Sequence, residues 1–330
     1  MALLRVHKPG YQTTIQDLGR HGFAHLGISA GGAADDLSLR IGNLLVENRE
    51  TAAGLEMTLT GGVFEFECES IIALTGSDCE PVVDTLSVPM WSSIVIKAGQ
   101  ILKCGAMTTA ARSYLCIHGG IRLSRLDPPR SHNNRQKDLD FLGSASTHPL
   151  TGLGGLGRRL REGDVLEIEA MNHADVFKSR TVNSQFIPSI MGKDALRVTS
   201  GPQSSTFSED VQELFYTSAF TVSEMSNRMG IRLKGPKLQD GEISEILTEG
   251  VSLGAVQVPS DGDPIILFVD HQTTGGYPKI ANVISSDIHR LGQLKPRDKV
   301  RFESVSLEQA WSILKEHESL IHSHNFLVQV

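Results

Sequence analysis

Apolar and polar residues alternate along most of this chain, in short windows that end at Gly, Pro, Asn or Asp. Residues 63–68 read VFEFEC, and residues 265–269 form a wholly apolar run. Alternation with a period of two is typical of strands that bury one face, and a short apolar run is typical of a strand buried on both. The pattern therefore predicts a mainly β protein with short helices.

Helical patterns are few, and each follows a residue that can cap a helix N-terminus. Asp35 and Ser208 each precede apolar residues at helical spacing, and Ser306 with Gln309 forms a capping box. We expect these helices to be short and to plug or cover a barrel.

One local pattern occurs three times, at residues 96–104, 160–168 and 294–302. In each copy an apolar residue leads a turn that ends in Gln or Asp, and an alternating strand follows. The last two copies close what look like equivalent halves of the chain. The repeat therefore favours duplicated β-barrel domains.

The length of 330 residues suits two domains of about 150 residues, each with its own core. The polar stretch 172–193 is the predicted boundary, which gives an N-terminal domain over 1–180 and a C-terminal domain over 190–330. The charged stretch 122–140 contains Pro and almost no apolar residue. We expect it to form an exposed, mobile loop.

Composition excludes several classes of protein. A net charge of -7 argues against a nucleic-acid binder, because such proteins concentrate Lys and Arg. No apolar run approaches the roughly 20 residues of a membrane-spanning helix, so a cytoplasmic protein is expected. The four cysteines form no C-x-x-C pair, which favours buried free thiols and predicts no metal site.

Two motif-like patterns lack the context that their chemistry needs. Gly152, Gly154 and Gly157 match G-x-G-x-x-G, but neither a preceding strand nor a following helix is predicted. We interpret them as a glycine-rich loop without nucleotide chemistry, and no P-loop sequence is present. His21 and His25 lie beside glycines, which favours a loop with ordinary histidines over two metal ligands on a helix.

The segment 248–279 has the strongest functional signal. A strand carrying Gln257 and an apolar strand ending at Asp270 lead into a loop rich in hydrogen-bonding groups. Such a loop offers little to a core but can bind a small polar or anionic ligand through side chains, backbone N–H groups and a cation. Those groups belong to Gln272, Thr273, Thr274, Gly275, Gly276 and Lys279. The alternative is a tight turn that the hydroxyls make rigid.

Lys279 follows the Gly-Gly-Tyr-Pro turn. The fixed φ of Pro278 and the flexible glycines are expected to aim its ammonium into the site. We expect Lys279 to lie on an exposed loop, where its removal changes stability little.

Several stretches resemble the signature sequences of one family. They are DHQTTGGYPKI at 270–280, SNRMG at 226–230, TIQDLGRHG at 14–22 and Leu55-Glu56. The family comprises the C subunit of 5-oxoprolinase, that is KipA-type proteins also known as allophanate hydrolase subunit 2, and the related carboxyltransferase domain of biotin-dependent urea carboxylase. The resemblance extends from Val6 to Phe302.

The resemblance implies two cyclophilin-like β-barrel domains and a cleft lined by both. Family site positions correspond to Gln16, Asp17, Asn227, Arg228, Glu249, Gln257, Asp270, Gln272, Thr273, Thr274, Tyr277 and Lys279. This chain departs from the family at His271 and Ala145, where relatives usually have Arg.

The function implied by the resemblance is that of the C subunit of an ATP-dependent 5-oxoprolinase, which opens 5-oxo-L-proline to L-glutamate after phosphorylation activates the amide. ATP with Mg²⁺ acts at the level of the complex, and the KipI-like B subunit and the A subunit are the expected partners. Lys279, Arg228 and the amides of Gly275 and Gly276 would stabilise developing charge. Asp270 or Glu249 would act as a base or bind a metal ion.

Two other functions are consistent with the resemblance. The first is the carboxyltransferase component of a biotin-dependent urea or amide carboxylase, in which another polypeptide supplies biotin and the ATP-binding domain. The second is a regulatory KipA-type protein that binds a KipI-like partner.

Overall fold

A computed structural model of the chain describes residues 2–123, 142–170, 177–192, 195–239 and 246–329. Its contacts define two compact units. Unit 1 comprises Met1–Arg20, Gly31–Met191 and His324–Val330, and unit 2 comprises His21–Ala30 and Gly192–Ser323.

The change from unit 1 to unit 2 after Met191 falls inside the polar stretch 172–193. Each unit also takes a short segment from the other half of the chain, which the continuous bounds 1–180 and 190–330 do not include. Those domain bounds stay a prediction. The loop predicted at 122–140 lies almost entirely outside the described residues.

Unit 1 is built from two larger sheets and one strand pair. The seven-stranded sheet has the order β11-β12-β1-β4-β9-β6-β7, the five-stranded sheet has the order β2-β3-β10-β5-β8, and β13 pairs with β24. These strands are β1 (Ala2–Lys8), β2 (Gln12–Gln16), β3 (Gly54–Thr58), β4 (Val63–Phe66), β5 (Ser70–Gly76), β6 (Val82–Val83), β7 (Leu86–Ser87), β8 (Ser93–Ile96), β9 (Ile101–Lys103), β10 (Arg112–Ile117), β11 (Ile121–Arg122), β12 (Val165–Ile168), β13 (Arg180–Val182) and β24 (Leu327–Gln329).

Unit 2 is built from an eight-stranded sheet of order β22-β15-β16-β19-β18-β21-β14-β23 and the separate pair β17-β20. These strands are β14 (Leu196–Ser200), β15 (Phe220–Val222), β16 (Gly230–Lys234), β17 (Glu249–Gly250), β18 (Ala255–Gln257), β19 (Ile265–Leu267), β20 (Thr274–Gly275), β21 (Lys279–Val283), β22 (Lys299–Val300) and β23 (Phe302–Ser304). The predicted mainly β class with barrel-like sheets is confirmed.

The described α-helices are α1 (Asp36–Leu45) and α2 (Ile187–Met191) in unit 1, and α3 (Glu209–Thr217), α4 (Ile288–Gly292) and α5 (Leu307–Ser323) in unit 2. All three predicted caps are present. Asp35 Oδ1 accepts from Ser38 N at 2.8 Å, and Ser208 Oγ accepts from Val211 N at 3.4 Å. Ser306 and Gln309 exchange both bonds of a capping box.

Helix α1 plugs unit 1 as predicted, because its residues from Leu37 to Leu45 are all buried. Helix α5 differs from the expectation of a short covering helix. It runs for 17 residues, and its Trp311 is 62% exposed with Lys315 Nζ 3.5 Å from the ring centre.

The three copies of the turn-strand pattern share one local mechanism. The side chains of Gln100, Asp164 and Asp298 each accept a hydrogen bond from the backbone N–H three residues earlier, at 2.8, 2.7 and 2.8 Å. Such a bond closes the turn and delivers the chain into the next strand. The prediction of a turn followed by a strand is confirmed in all three copies.

The remaining motifs fold as expected except at Cys68. The glycine motif around Gly154 forms turns and is followed by β12 rather than a helix. His25 lies in the short 3-10 helix Ala24–Leu26, so no α-helical ligand pair forms. Cys79, Cys104 and Cys116 are buried free thiols, whereas Cys68 is half-buried.

The described residues contain neither a membrane-spanning helix nor a metal-binding cluster. None of their helices is long and apolar enough to cross a membrane. Within the same residues, no group of three or more His, Cys, Asp or Glu side chains is arranged to hold a metal ion.

Candidate functional site

A β-bulge brings Gln257 and Lys279 opposite each other in unit 2. Val256 on β18 pairs with Ala281 on β21, but the next residue, Gln257, pairs with Lys279. Ile280 is therefore the extra residue in β21. Bulges of this kind re-aim side chains and are common beside active sites.

Lys279 is buried, which corrects the prediction of an exposed loop lysine. It is the first residue of β21, and its side chain is only 4% exposed. Its Nζ lies 2.5 Å from Glu249 Oε1, so the two form an ion pair. Beyond this ion pair, the ammonium has no hydrogen-bond partner among the described residues. An ammonium has three donors, so Lys279 retains capacity for a ligand oxygen.

Gln257 carries a second donor without a protein partner. Gln257 is 1% exposed, and its Nε2 makes no hydrogen bond within the described part of the chain. A buried amide N–H without a partner costs free energy, so such groups in native proteins need an explanation. A ligand carbonyl or carboxylate oxygen would satisfy it.

The strand pair β17-β20 lies beside Gln257. Glu249 pairs with Gly275, and Gly250 pairs with Thr274. Hydrogen bonds from Ile246 N to Gly276 O and from Val251 N to Thr273 O extend the pair at both ends. A Cβ added to Gly275 would lie 2.8 Å from Gln257 Nε2. The absence of a side chain at Gly275 therefore leaves the room that the Gln257 amide occupies.

We expect Gly275→Ala to destabilise the chain by about 1 kcal/mol or more, because the new methyl group overpacks a buried amide. Gly250→Ala is the matched control, since a Cβ there meets nothing within 4 Å. Thermal unfolding of both variants checks this. Equal melting temperatures would show that Gln257 moves aside without cost.

Glu249 is the carboxylate of the site that remains accessible. Its side chain is 44% exposed, and it accepts from Gln203 Nε2 at 2.8 Å. The hydrogen bonds from Lys279 and then from Gln203 lower the pKa of its carboxyl below the ordinary value. Glu249 is therefore ionised at neutral pH and is a weak base, which suits a counter-ion for Lys279 better than a proton acceptor.

Asp270 and Arg228 form a closed pair instead of an open catalytic group. Arg228 Nε donates to Asp270 Oδ2 at 2.7 Å and Nη2 donates to Oδ1 at 3.1 Å, with both residues buried. Neighbouring Asn227 caps its own turn, because its Oδ1 accepts from Met229 N at 2.8 Å. These contacts favour a structural role for all three residues.

The loop after Asp270 is more open. Strand β19 ends at Leu267, earlier than the predicted end at Asp270. Gln272 and Thr274 are exposed, Thr273 and Gly276 are half-buried, and Tyr277 is 37% exposed. Burial lowers the pKa of His271 below its ordinary value of 6.5, so this residue is neutral at pH 7. A neutral His271 therefore supplies no cation to this loop.

The two candidates from the first half, Gln16 and Asp17, lie in unit 1. The Asp17 carboxylate accepts from Gly19 N, Ser144 Oγ, Ala145 N and Ser146 Oγ at 2.6–2.8 Å. Asp17 therefore fixes the loop at 144–146, with its lone pairs largely used. Gln16 Nε2 donates to Thr14 Oγ1 and Thr147 O, each at 3.0 Å, while its Oε1 has no partner among the described residues.

Sequence reasoning missed Gln203, which contacts both charged members of the site. It follows Gly201-Pro202 directly after β14. That dipeptide predicts a turn but gives no indication of a functional residue. Its partners are 46 and 76 residues away in sequence, so no local pattern connects them.

Comparison with known proteins identifies the family of the chain. Residues 26–304 match the family described as Carboxyltransferase domain, subdomain A and B. The chain is 39% identical over 309 residues to the C subunit of 5-oxoprolinase from Escherichia coli, covering 93% of each chain.

Two solved structures from K. lactis superpose on nearly the whole chain. Urea Carboxylase gives a TM-score of 0.86 at 30% identity over 98% of this chain. Urea Amidolyase gives 0.85 at 31% identity over 97% of it. The chain spans only 29% and 20% of those two proteins, respectively. The chain therefore belongs to the carboxyltransferase-domain family, together with the C subunit of 5-oxoprolinase.

Proposed function

We propose that this chain is the C subunit of an ATP-dependent 5-oxoprolinase complex and supplies the site that holds the lactam of 5-oxo-L-proline. The observation that carries the proposal is the buried donor pair of Gln257 Nε2 and Lys279 Nζ, both with unused hydrogen-bonding capacity. A lactam presents a carbonyl oxygen and, in 5-oxoproline, a carboxylate. The carbonyl and carboxylate oxygens are acceptors to which Gln257 Nε2 and Lys279 Nζ can donate.

The donors also suit the chemistry of ring opening. An unstrained amide is a poor electrophile, and any attack on it places negative charge on the amide oxygen. A cation held in a buried site stabilises that charge more strongly than it would in water. Lys279 is 3% exposed, so it provides such a cation, and Gln257 adds a neutral donor beside it.

Glu249, rather than Asp270, is the carboxylate that serves this site. Arg228 Nε and Nη2 donate to the two carboxylate oxygens of Asp270. Glu249 keeps Lys279 charge-balanced, while the remaining donors of the ammonium are available to a substrate oxygen.

Among the described residues, the glycine motif does not fit a bound nucleotide. The glycine motif around Gly154 lacks the helix whose N-terminus would face a phosphate. A Cβ on Gly154 would also lie 1.9 Å from Ser146 O, which indicates that the glycines permit close loop packing. We therefore assign ATP with Mg²⁺, and the activation that it supplies, to the partner A and B subunits.

Carboxyl transfer to urea or a similar amide is the second candidate. The superposition on urea carboxylase and urea amidolyase supports it, and a urea carbonyl would accept from the same two donors. The 5-oxoprolinase assignment is stronger because the chain and its E. coli relative match over 93% of both. Biotin enters only under this second candidate.

Reconstitution tests the proposal. The purified chain with ATP and 5-oxoproline should release no glutamate, and release should begin once the A and B subunits are added. Glutamate release by those two subunits alone at the full rate would contradict a catalytic role and favour a regulatory KipA-type protein. Carboxylation of urea in the presence of carboxybiotin, without glutamate release, would favour the second candidate.

A further inference from the structure

Gln203 connects the two charged residues of the site through both ends of its side-chain amide. Its Nε2 donates to Glu249 Oε1 at 2.8 Å, and this is the oxygen that pairs with Lys279 Nζ. Its Oε1 accepts from the backbone N–H of Lys279 at 3.2 Å. One carboxamide therefore holds Glu249 and the first residue of β21 at once.

The backbone around Gln203 is fitted to this task. Gln203 N donates to Lys279 O at 3.3 Å, and Gly201 N donates to Ile280 O at 2.9 Å. A Cβ on Gly201 would lie 2.2 Å from Lys279 O. The turn can therefore approach β21 closely only with glycine at Gly201.

A carboxamide suits this position because it has both a donor and an acceptor. A leucine would keep the volume and lose both contacts, whereas a glutamate would keep the acceptor and place a second carboxylate beside Glu249. An ion pair between a buried lysine and a half-exposed glutamate on a two-residue strand has little else to fix its geometry.

We propose that Gln203 is a positioning residue, which holds the Glu249 carboxylate on the Lys279 ammonium and fixes the start of β21, so that the ammonium is aligned for a substrate oxygen. The part played by Lys279 rests on the proposed function, whereas the alignment of Glu249 by Gln203 does not. The residue touches the charged groups of the site and acts through them.

Gln203→Leu is expected to lower kcat/KM for 5-oxoproline in the reconstituted complex by about tenfold to a hundredfold, the loss that a small misplacement of a reacting group produces. In the isolated chain, carboxyl-carbon NMR should show that the pKa of Glu249 rises toward its ordinary value, because one of the two hydrogen bonds that lower it is gone.

Gln203→Glu gives a second, independent readout. When protonated, the new carboxyl can still donate to Glu249, and when ionised it repels Glu249 and competes for Lys279. Turnover of this variant relative to wild type should therefore fall as the pH rises through the pKa of the new carboxyl, whose ordinary value is about 4.3. A residue that only supports the fold would give a constant ratio.

Gln212→Leu is the matched control in the same unit. Gln212 Nε2 donates to Ser204 O at 3.1 Å and Phe207 O at 2.9 Å, and neither acceptor belongs to Glu249 or Lys279. This variant should lose thermal stability but keep the Glu249 titration and kcat/KM. If Gln203→Leu behaves in the same way, the positioning role is wrong. If the wild-type complex releases no glutamate, the proposed function fails, and the Glu249 titration still decides the role of Gln203.

Discussion

Lys279→Met is expected to lower the turnover of the reconstituted complex by about a hundredfold or more, the scale of losing one donor to a developing oxyanion. Methionine fills most of the buried volume and removes the ammonium. Glu249, the charge left behind, is 44% exposed and stays solvated. The large penalty for breaking a buried ion pair arises from a buried charge left unpaired, and none remains in this variant. We therefore expect the free energy of unfolding to change by no more than about 1 kcal/mol.

Lys234→Met is the control for this experiment. Lys234 also pairs with a carboxylate, that of Asp263, but its side chain is 62% exposed and belongs to another strand. Its replacement should leave turnover intact. Turnover of Lys279→Met equal to that of wild type, in an active complex, would remove Lys279 from the site.

Asp270→Ala is expected to have the largest effect on stability, about 3–5 kcal/mol, because it leaves the buried Arg228 guanidinium without its carboxylate. Urea denaturation measures this loss. The double variant Arg228→Met with Asp270→Leu should recover part of it, since the buried charge is then absent. Turnover per folded molecule should change less for Asp270→Ala than for Lys279→Met.

An exposed ion pair provides the contrast. Glu224 pairs with Arg297 at 2.7 Å, with side chains 67% and 83% exposed. Glu224→Ala should cost no more than about 1 kcal/mol. If Asp270 instead acts as a base or a metal ligand, its replacement will abolish turnover while the free energy of unfolding stays near the wild-type value.

The features that sequence predicted correctly depend on neighbouring residues. The caps at Asp35, Ser208 and Ser306 each join residues three positions apart. The turns that end in Gln100 or Asp164 close over the same span. Such contacts form whatever the tertiary arrangement, so the pattern alone is sufficient to predict them.

The site was only partly predictable because its geometry depends on distant contacts. A regular β18-β21 ladder would place Ile280 opposite Gln257. The bulge places Lys279 there instead, and no sequence pattern indicates the bulge. The same bulge carries Lys279 into a buried strand position, which is why the expectation of an exposed loop lysine is wrong. The ion pair between Arg228 and Asp270 joins residues 42 positions apart, so it too is visible only in the folded chain.

The most direct test of the central claim is the position of 5-oxoproline in a crystal structure of the complete complex. We predict that an oxygen of the ligand lies within hydrogen-bond distance, about 2.7–3.2 Å, of both Gln257 Nε2 and Lys279 Nζ. The contact from Gln203 Nε2 to Glu249 Oε1 should persist in that complex. A complex that releases glutamate but binds 5-oxoproline away from both nitrogens would contradict the assignment of this site.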